Sequence, residues 1–204
     1  MAARRGVFIC IEGLDASGKT TQARRLVENL QKMGFDVVYT AEPTYSEIGK
    51  YIRRYVLKRK KRVPSVVEAL LFALDRVNHV EKRIKPALRD GKIVVSDRYV
   101  FSSLAYQGAA GLDLRWIEEI NKFALLPDLA IYIDVPPEVV ARRIRKRWKS
   151  VMETLQNQQR VRDIYMKLVE SGKLTRVNGN RPKNEVSGDI LKIVLNFLRK
   201  LKRS

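Results

Sequence analysis

The chain has 204 residues, enough for one well-filled hydrophobic core, and no Gly/Ser-rich or Pro-rich linker divides it, so a single domain over residues 1–204 is expected. Its apolar runs are too short to cross a bilayer, its basic start meets Glu12 before a signal-length stretch can form, and the one cysteine, Cys10, has no partner for a disulfide. These features exclude a membrane span and point to the cytoplasm, while the net charge of +19 favours nucleotides, nucleic acid or an anionic surface without choosing among them.

In chain order, the β-branched apolar run 7–11 predicts a strand, followed by a Gly-rich turn, a helix over 19–33 with Gly34 as its stop, and a second strand over 36–40. Val67, Leu70, Leu71, Leu74, Val77, Ile84 and Leu88 recur at helical spacing. They predict one long amphipathic helix over 65–90, bent near Pro86 and stopped by Gly91. Runs 92–96 and 129–134 read as buried strands, and 174–177 as a fifth. Helical periodicity covers 114–125, 137–146, 154–169 and 186–201. The alternation predicts an α/β fold: a five-stranded parallel sheet with helices on both faces and ligands at the carboxyl ends of its strands.

Gly13-Leu14-Asp15-Ala16-Ser17-Gly18-Lys19-Thr20 fits the pattern G-x-x-x-x-G-K-[ST] between a predicted strand and a predicted helix. A chance Gly-rich turn would lack that context. In such a loop the glycines let backbone N–H groups converge on phosphate oxygens, and the helix N-terminus adds its positive dipole. Lys19 supplies charge to the outer phosphates and the Thr20 hydroxyl suits the Mg2+ that accompanies ATP, with Thr21 next in the helix. This is the signature of a P-loop NTPase fold. It identifies nucleotide binding, not the acceptor.

Further segments narrow the reading. Phe72-Ala73-Leu74-Asp75-Arg76, Ser96-Asp97-Arg98-Tyr99 and Ser102-Ser103-Leu104-Ala105-Tyr106-Gln107-Gly108, together with Glu42-Pro43 and the phosphate loop, resemble the signature of the thymidylate kinase (dTMP kinase) family over essentially the whole chain. The resemblance implies transfer of the ATP γ-phosphate to dTMP, a homodimer, and no nucleic-acid partner. It implies that Phe72 stacks on thymine and that Arg76 reads its carbonyl edge; the two are four apart on a predicted helix, so ring and guanidinium project together. The alternative is Phe72 in the core and Arg76 in solvent.

By the same resemblance Arg98 holds the acceptor phosphate, and Asp97 organises the magnesium hydration shell or the attacking phosphate; a plain ion pair between these neighbours is the alternative. Asp15 cannot favourably face phosphate oxygens and should turn toward the 3′-hydroxyl of the acceptor sugar. Tyr106 and Gln107 look like acceptor-pocket residues, with the tyrosine crowding the sugar 2′ position. Ser103 is assigned to the base, Arg53 to the acceptor phosphate and Glu42 to the acceptor-side loop. His79, seven residues beyond Phe72, is expected as a partly exposed structural histidine.

Arg142-Arg143-Ile144-Arg145-Lys146-Arg147-Trp148-Lys149 suits a basic lid near 142–153 that neutralises charge in the transition state. One subgroup of the family carries a basic residue within the phosphate loop, and another supplies arginines from the lid. Ala16 and Ser17 place this chain with the second, which makes Arg147 the catalytic lid residue and Arg143, one turn earlier, an ATP contact. The chain departs from the family pattern where Ser150-Val151-Met152 precede Glu153 and where Thr44-Tyr45 replace the double glycine often seen in bacterial relatives. Two rival readings stand beside this one. One is a related nucleoside monophosphate kinase of broader acceptor range. The other is a nucleic-acid-stimulated ATPase, suggested by the charge and by the tail Arg199-Lys200-Leu201-Lys202-Arg203, for which a solvated helix end is the simpler account.

Overall fold

The structure, a computed structural model, describes residues 6–58, 63–144 and 155–201. Strand β1 (Val7–Gly13) is central because its apolar run can be buried on both faces: Phe8, Ile9, Cys10 and Ile11 are wholly inaccessible. Burial pushes the Cys10 thiol pKa up, in keeping with a packed side chain rather than a reactive one. Helix α1 (Lys19–Lys32) leads to β2 (Val37–Ala41), and β3 (Ile93–Asp97), β4 (Leu129–Asp134) and β5 (Thr175–Asn178) complete a parallel sheet in the order β2-β3-β1-β4-β5.

That order dictates where the helices go. The first crossover runs outward from β1 to β2, whereas every later one runs the other way across the sheet, so right-handed connections put α1 on one face and the later helices on the opposite face. In agreement, α1 packs on β1, β2 and β3, and the final helix, α9 (Lys183–Leu201), returns beside it over β4 and β5. The opposite face carries α5 (Val100–Ala109) on β1 and α8 (Leu155–Glu170) on β4, with α4 (Lys85–Arg89) against β3. The reversal at β1, between β3 and β4, opens a crevice at the strand carboxyl ends, where the phosphate loop lies.

The long predicted helix is three segments in series. Helix α3 (Ser65–His79) widens into a π-helical turn over Val80–Ile84 before α4 begins. The cause is Pro86, which has no N–H and whose ring crowds the carbonyl four residues back; the wider turn lets the chain pass it without a break. Two elements lack a sequence signal. Helix α2 (Glu47–Tyr51), capped by Ser46 and continued as a π-turn over Ile52–Leu57, is short. Helix α5 is buried nearly all round, so it shows no amphipathic period. Helix α6 (Leu114–Ile120) stops at Asn121, five residues short of the predicted stretch, and α7 (Pro137–Ile144) starts where expected.

Gly49 in α2 packs directly on the loop that follows β2: a Cβ there would meet the Thr44 carbonyl oxygen at 1.9 Å and its nitrogen at 2.7 Å. Backbone cannot yield as a side chain can. Gly49→Ala is expected to destabilise the protein by about 1–3 kcal/mol, read as a lower urea midpoint with an unchanged slope.

Candidate active site

Where β1 ends, close packing decides the residue: a Cβ on Gly13 would meet the Ser17 hydroxyl at 2.6 Å and the Ile133 carbonyl at 3.0 Å. The loop then turns through Ala16 at φ 59° and Gly18 at φ 97°, the latter capping α1. The first amides of α1 have no partner within the helix and face the loop, which is the arrangement that binds phosphate. Lys19 is 6% exposed; its ammonium donates to the Leu14 carbonyl at 2.9 Å and lies 3.7 Å from the Asp15 carboxylate. From α7, Arg143 reaches back and donates to the Ala16 carbonyl at 3.1 Å.

Strand β3 runs in register beside β1, so Asp97 lies opposite Ile11 at the mouth of the loop. The Thr20 hydroxyl donates to Asp97 Oδ2, and the Tyr39 hydroxyl approaches the same oxygen at 3.4 Å. Asp97 Oδ1 is buried without a hydrogen-bond partner. A carboxylate oxygen in that state, beside a hydroxyl and a phosphate-binding loop, fits a hard divalent cation and its bound water.

Arg98 adopts φ 72°, a region costly for a side chain with a Cβ. Its backbone is held there on both sides: its N–H donates to the Ile11 carbonyl at 3.0 Å, and the Ser96 hydroxyl donates to its carbonyl at 2.7 Å. The guanidinium folds back over β1. It pairs with the Asp15 carboxylate, donates to the Gly13 carbonyl at 3.3 Å and to the Ser102 hydroxyl at 2.9 Å, and lies 4.9 Å from the centre of the Tyr106 ring. The Tyr106 hydroxyl accepts from the Asp15 N–H at 2.9 Å. The phosphate loop and the arginine after β3 thus share one carboxylate. Asp97 and Arg98 do not pair with each other among the described residues.

The loop after β2 hangs from two buried carboxylates. Glu42 accepts from Arg76 Nε at 3.0 Å and Nη2 at 2.7 Å, and faces His79 Nδ1 at 3.0 Å. Asp75 accepts from the Thr44 N–H at 2.6 Å and from the Thr44 and Ser46 hydroxyls. Arg76 is 1% exposed and also donates to Asn121 and to Ser103, while Phe72 is half-buried, so the picture of a core phenylalanine with a solvated arginine does not hold. His79 is 3% exposed rather than partly exposed, because its second nitrogen is taken by Thr40 at 2.6 Å. Arg53 donates to the Pro43 and Thr44 carbonyls and lies over the Tyr45 ring. Gln107 donates to Glu68 at 2.9 Å and keeps a buried carbonyl oxygen without a partner. Arg147 and the greater part of the expected lid lie outside the described residues.

A thymidylate kinase family model matches residues 11–190 of the chain. The chain belongs to the thymidylate kinase family. It is similar to a probable thymidylate kinase of Pyrococcus abyssi, 47% identical over 197 residues that cover 93% of this chain and 96% of the relative. A probable thymidylate kinase of Thermococcus onnurineus is 47% identical over 204 residues, covering 95% and 100% of the two chains. A third, from Staphylothermus marinus, is 40% identical over 201 residues, covering 97% and 99%.

Within this thymidylate kinase fold several site residues escape sequence reasoning. Glu12 is buried under the phosphate loop, and Asp75 anchors the loop after β2 from α3, beside the structural histidine His79. Asp134, at the end of β4, accepts from Arg162 and Arg176 together, tying α8 to the sheet. The available signal was a carboxylate inside or at the end of an apolar strand, a position that Asp and Glu occupy only with partners. Asp75 stands within the signature Phe72-Ala73-Leu74-Asp75-Arg76, but nothing in the sequence shows that it anchors the loop after β2.

The cradle is electrostatically primed. Burial, and then the nearby Arg98 charge, lower the Lys19 pKa to about 8 against the pull of Asp15, whereas the charges of Arg98 and Lys19 overcome burial and hold Asp15 at about 2. An unfolded Lys19 regains its ordinary value, so between about pH 8 and 10.5 the unfolded chain binds the extra proton and this group's contribution to stability rises with pH. Urea titrations of the nucleotide-free protein across that window should show this rise in the wild type and its loss in Lys19→Met.

Proposed function

We propose that the chain transfers the γ-phosphoryl group of ATP to dTMP, giving dTDP and ADP, by direct in-line displacement. The observation that carries this reading is the convergence of Lys19, from the phosphate loop, and Arg98, from the end of β3, on Asp15. Each of the two cations can bind one phosphate, donor or acceptor, once the carboxylate between them has turned to the acceptor sugar.

In this reading the loop of Gly13, Leu14, Asp15, Ala16, Ser17, Gly18, Lys19, Thr20 and Thr21 holds the donor, with the amides at the start of α1 turned to its phosphates, and Lys19 neutralises the outer ones. Thr20 and Asp97 would hold Mg2+, which supplies charge neutralisation between the phosphates. Arg98 lets go of part of its present partnership to grip the acceptor phosphate, freeing Asp15 to face the sugar hydroxyl. Phe72 offers a half-exposed ring to the base beside Arg76 and Ser103, and Tyr106 and Gln107 close the pocket from α5. Arg53 and Glu42 hold the acceptor loop in shape and border the pocket. Arg143, already at the phosphate loop, and Arg147 beyond it would bring charge to the transferring group. No group needs to be deprotonated by a strong base, since positioning and charge neutralisation dominate phosphoryl transfer.

A coupled assay of ADP release with dTMP, dUMP, UMP and AMP tests the acceptor. A strong preference for dTMP is expected. ATP hydrolysis that ignores dTMP but rises with DNA or RNA would overturn the proposal. Lys19→Ala and Arg98→Ala should each lower kcat/KM by roughly 100-fold or more with unchanged circular dichroism.

The same reading includes a single kinase domain, action in the cytoplasm where its substrates are, and a homodimer. Val67, Leu70 and Leu74 lie one turn apart on α3 and are 43%, 47% and 54% exposed, an apolar stripe that suits a second copy of itself. Leu70→Glu with Leu74→Glu should halve the mass seen by light scattering; a wild-type monomer, or a dimer that survives both changes, would refute this interface.

A further inference from the structure

Beneath the phosphate loop lies a carboxylate that the proposed transfer does not use. Glu12, the residue before Gly13 on β1, is wholly inaccessible, and no cation lies within ion-pair distance of it among the described residues. It is solvated instead by four donors: the N–H groups of Tyr99 at 2.8 Å and Ser102 at 3.2 Å, the Ser102 hydroxyl at 2.6 Å and the Tyr165 hydroxyl at 2.9 Å. Burial raises its pKa against these bonds and the charge of Arg98 nearby. A buried carboxylate without a paired cation is expensive, and capping α5 alone would not require one, since a Ser or Asp at the Tyr99 position would do so locally.

The direction of the hydrogen bonds shows what the charge adds. An ionised carboxylate can only accept, so the single proton of the Ser102 hydroxyl is committed to Glu12. Its lone pairs are thereby left for Arg98 Nη1, which donates to it at 2.9 Å. Arg98 has a left-handed backbone and needs its guanidinium aimed from outside. We propose that Glu12 is a positioning residue for the acceptor-phosphate arginine, fixing Arg98 through the Ser102 hydroxyl. This rests on the reading of Arg98 given above.

Glu12→Gln tests it with nearly unchanged shape. An amide nitrogen would donate where the carboxylate accepted, so the Ser102 and Tyr165 protons would compete for too few acceptors and the hydroxyl's hold on Arg98 would loosen. Calorimetric titrations of Glu12→Gln and Ser102→Ala should show dTMP bound roughly ten-fold more weakly in each, with thymidine, which lacks the phosphate, bound as in the wild type. The double variant should be no weaker than the weaker single variant, as members of one chain are not additive.

Equal weakening of dTMP and thymidine, or unchanged dTMP binding with only a lower melting temperature, would reduce Glu12 to a cap for α5. Should Glu12→Gln fail to fold, Ser102→Ala carries the same comparison. A wild-type chain that binds no dTMP would sink the functional reading alone. The Arg98 side-chain 15N resonance then decides the relay by itself: a shift in both variants is expected, and an unmoved signal would overturn it.

Discussion

The ion pair between Arg98 and Asp15 is the constraint around which the cleft is built. It joins the phosphate loop, which follows β1, to the residue that follows β3, and it does so because the parallel register places those two strand ends side by side. Each partner pays for its place: Arg98 in backbone conformation, Asp15 in carrying a carboxylate within a loop built for anions. The pair persists because Lys19 lies on its other side and Glu12 below, so that positive and negative groups alternate through the end of the sheet. Removing any one charge would leave its neighbours unbalanced.

The acceptor side repeats the principle with different residues. Glu42 and Asp75 are buried carboxylates that gather donors from α3 and from the loop after β2, and each sets a part of the pocket that the backbone alone would leave loose. Arg76 illustrates the consequence. A long cationic side chain is held with both forks committed to Glu42, Asn121 and Ser103, so little freedom remains for it to lose when a ligand arrives. The cleft combines a rigid wall beside the loop after β2 with the Lys19 and Arg98 cations gathered on Asp15.

Much of the fold was legible because burial on both faces writes itself as apolar runs: all five strands, and the helices with one wet face, are visible in the sequence. Helix α5 was hidden because it is wrapped on nearly every side, and the widening before Pro86 was hidden because a helix pattern does not reveal how the ladder accommodates a missing donor. In the cleft, residues that present a recognisable spacing, such as Gly13, Lys19 and Thr20, could be read directly. The roles of Glu12 and Asp75, and the full burial of His79, could not, since they depend on partners 31 to 153 residues away, as with Thr44 on Asp75 and Tyr165 on Glu12.

The departure at Thr44-Tyr45 acquires a physical account. A double glycine offers only backbone to this loop, whereas Thr44 places both its N–H and its hydroxyl on Asp75, and Tyr45 lays its ring against the Arg53 guanidinium at 4.6 Å. Arg53, in turn, holds the carbonyls of Pro43 and Thr44, and Gly49 lets α2 press against the same peptide. Side-chain anchoring at this corner does what backbone flexibility could not: it holds the loop in one shape. The chain departs from the pattern where it substitutes rigidity for adaptability, and the buried Asp75 is the residue that makes the exchange possible.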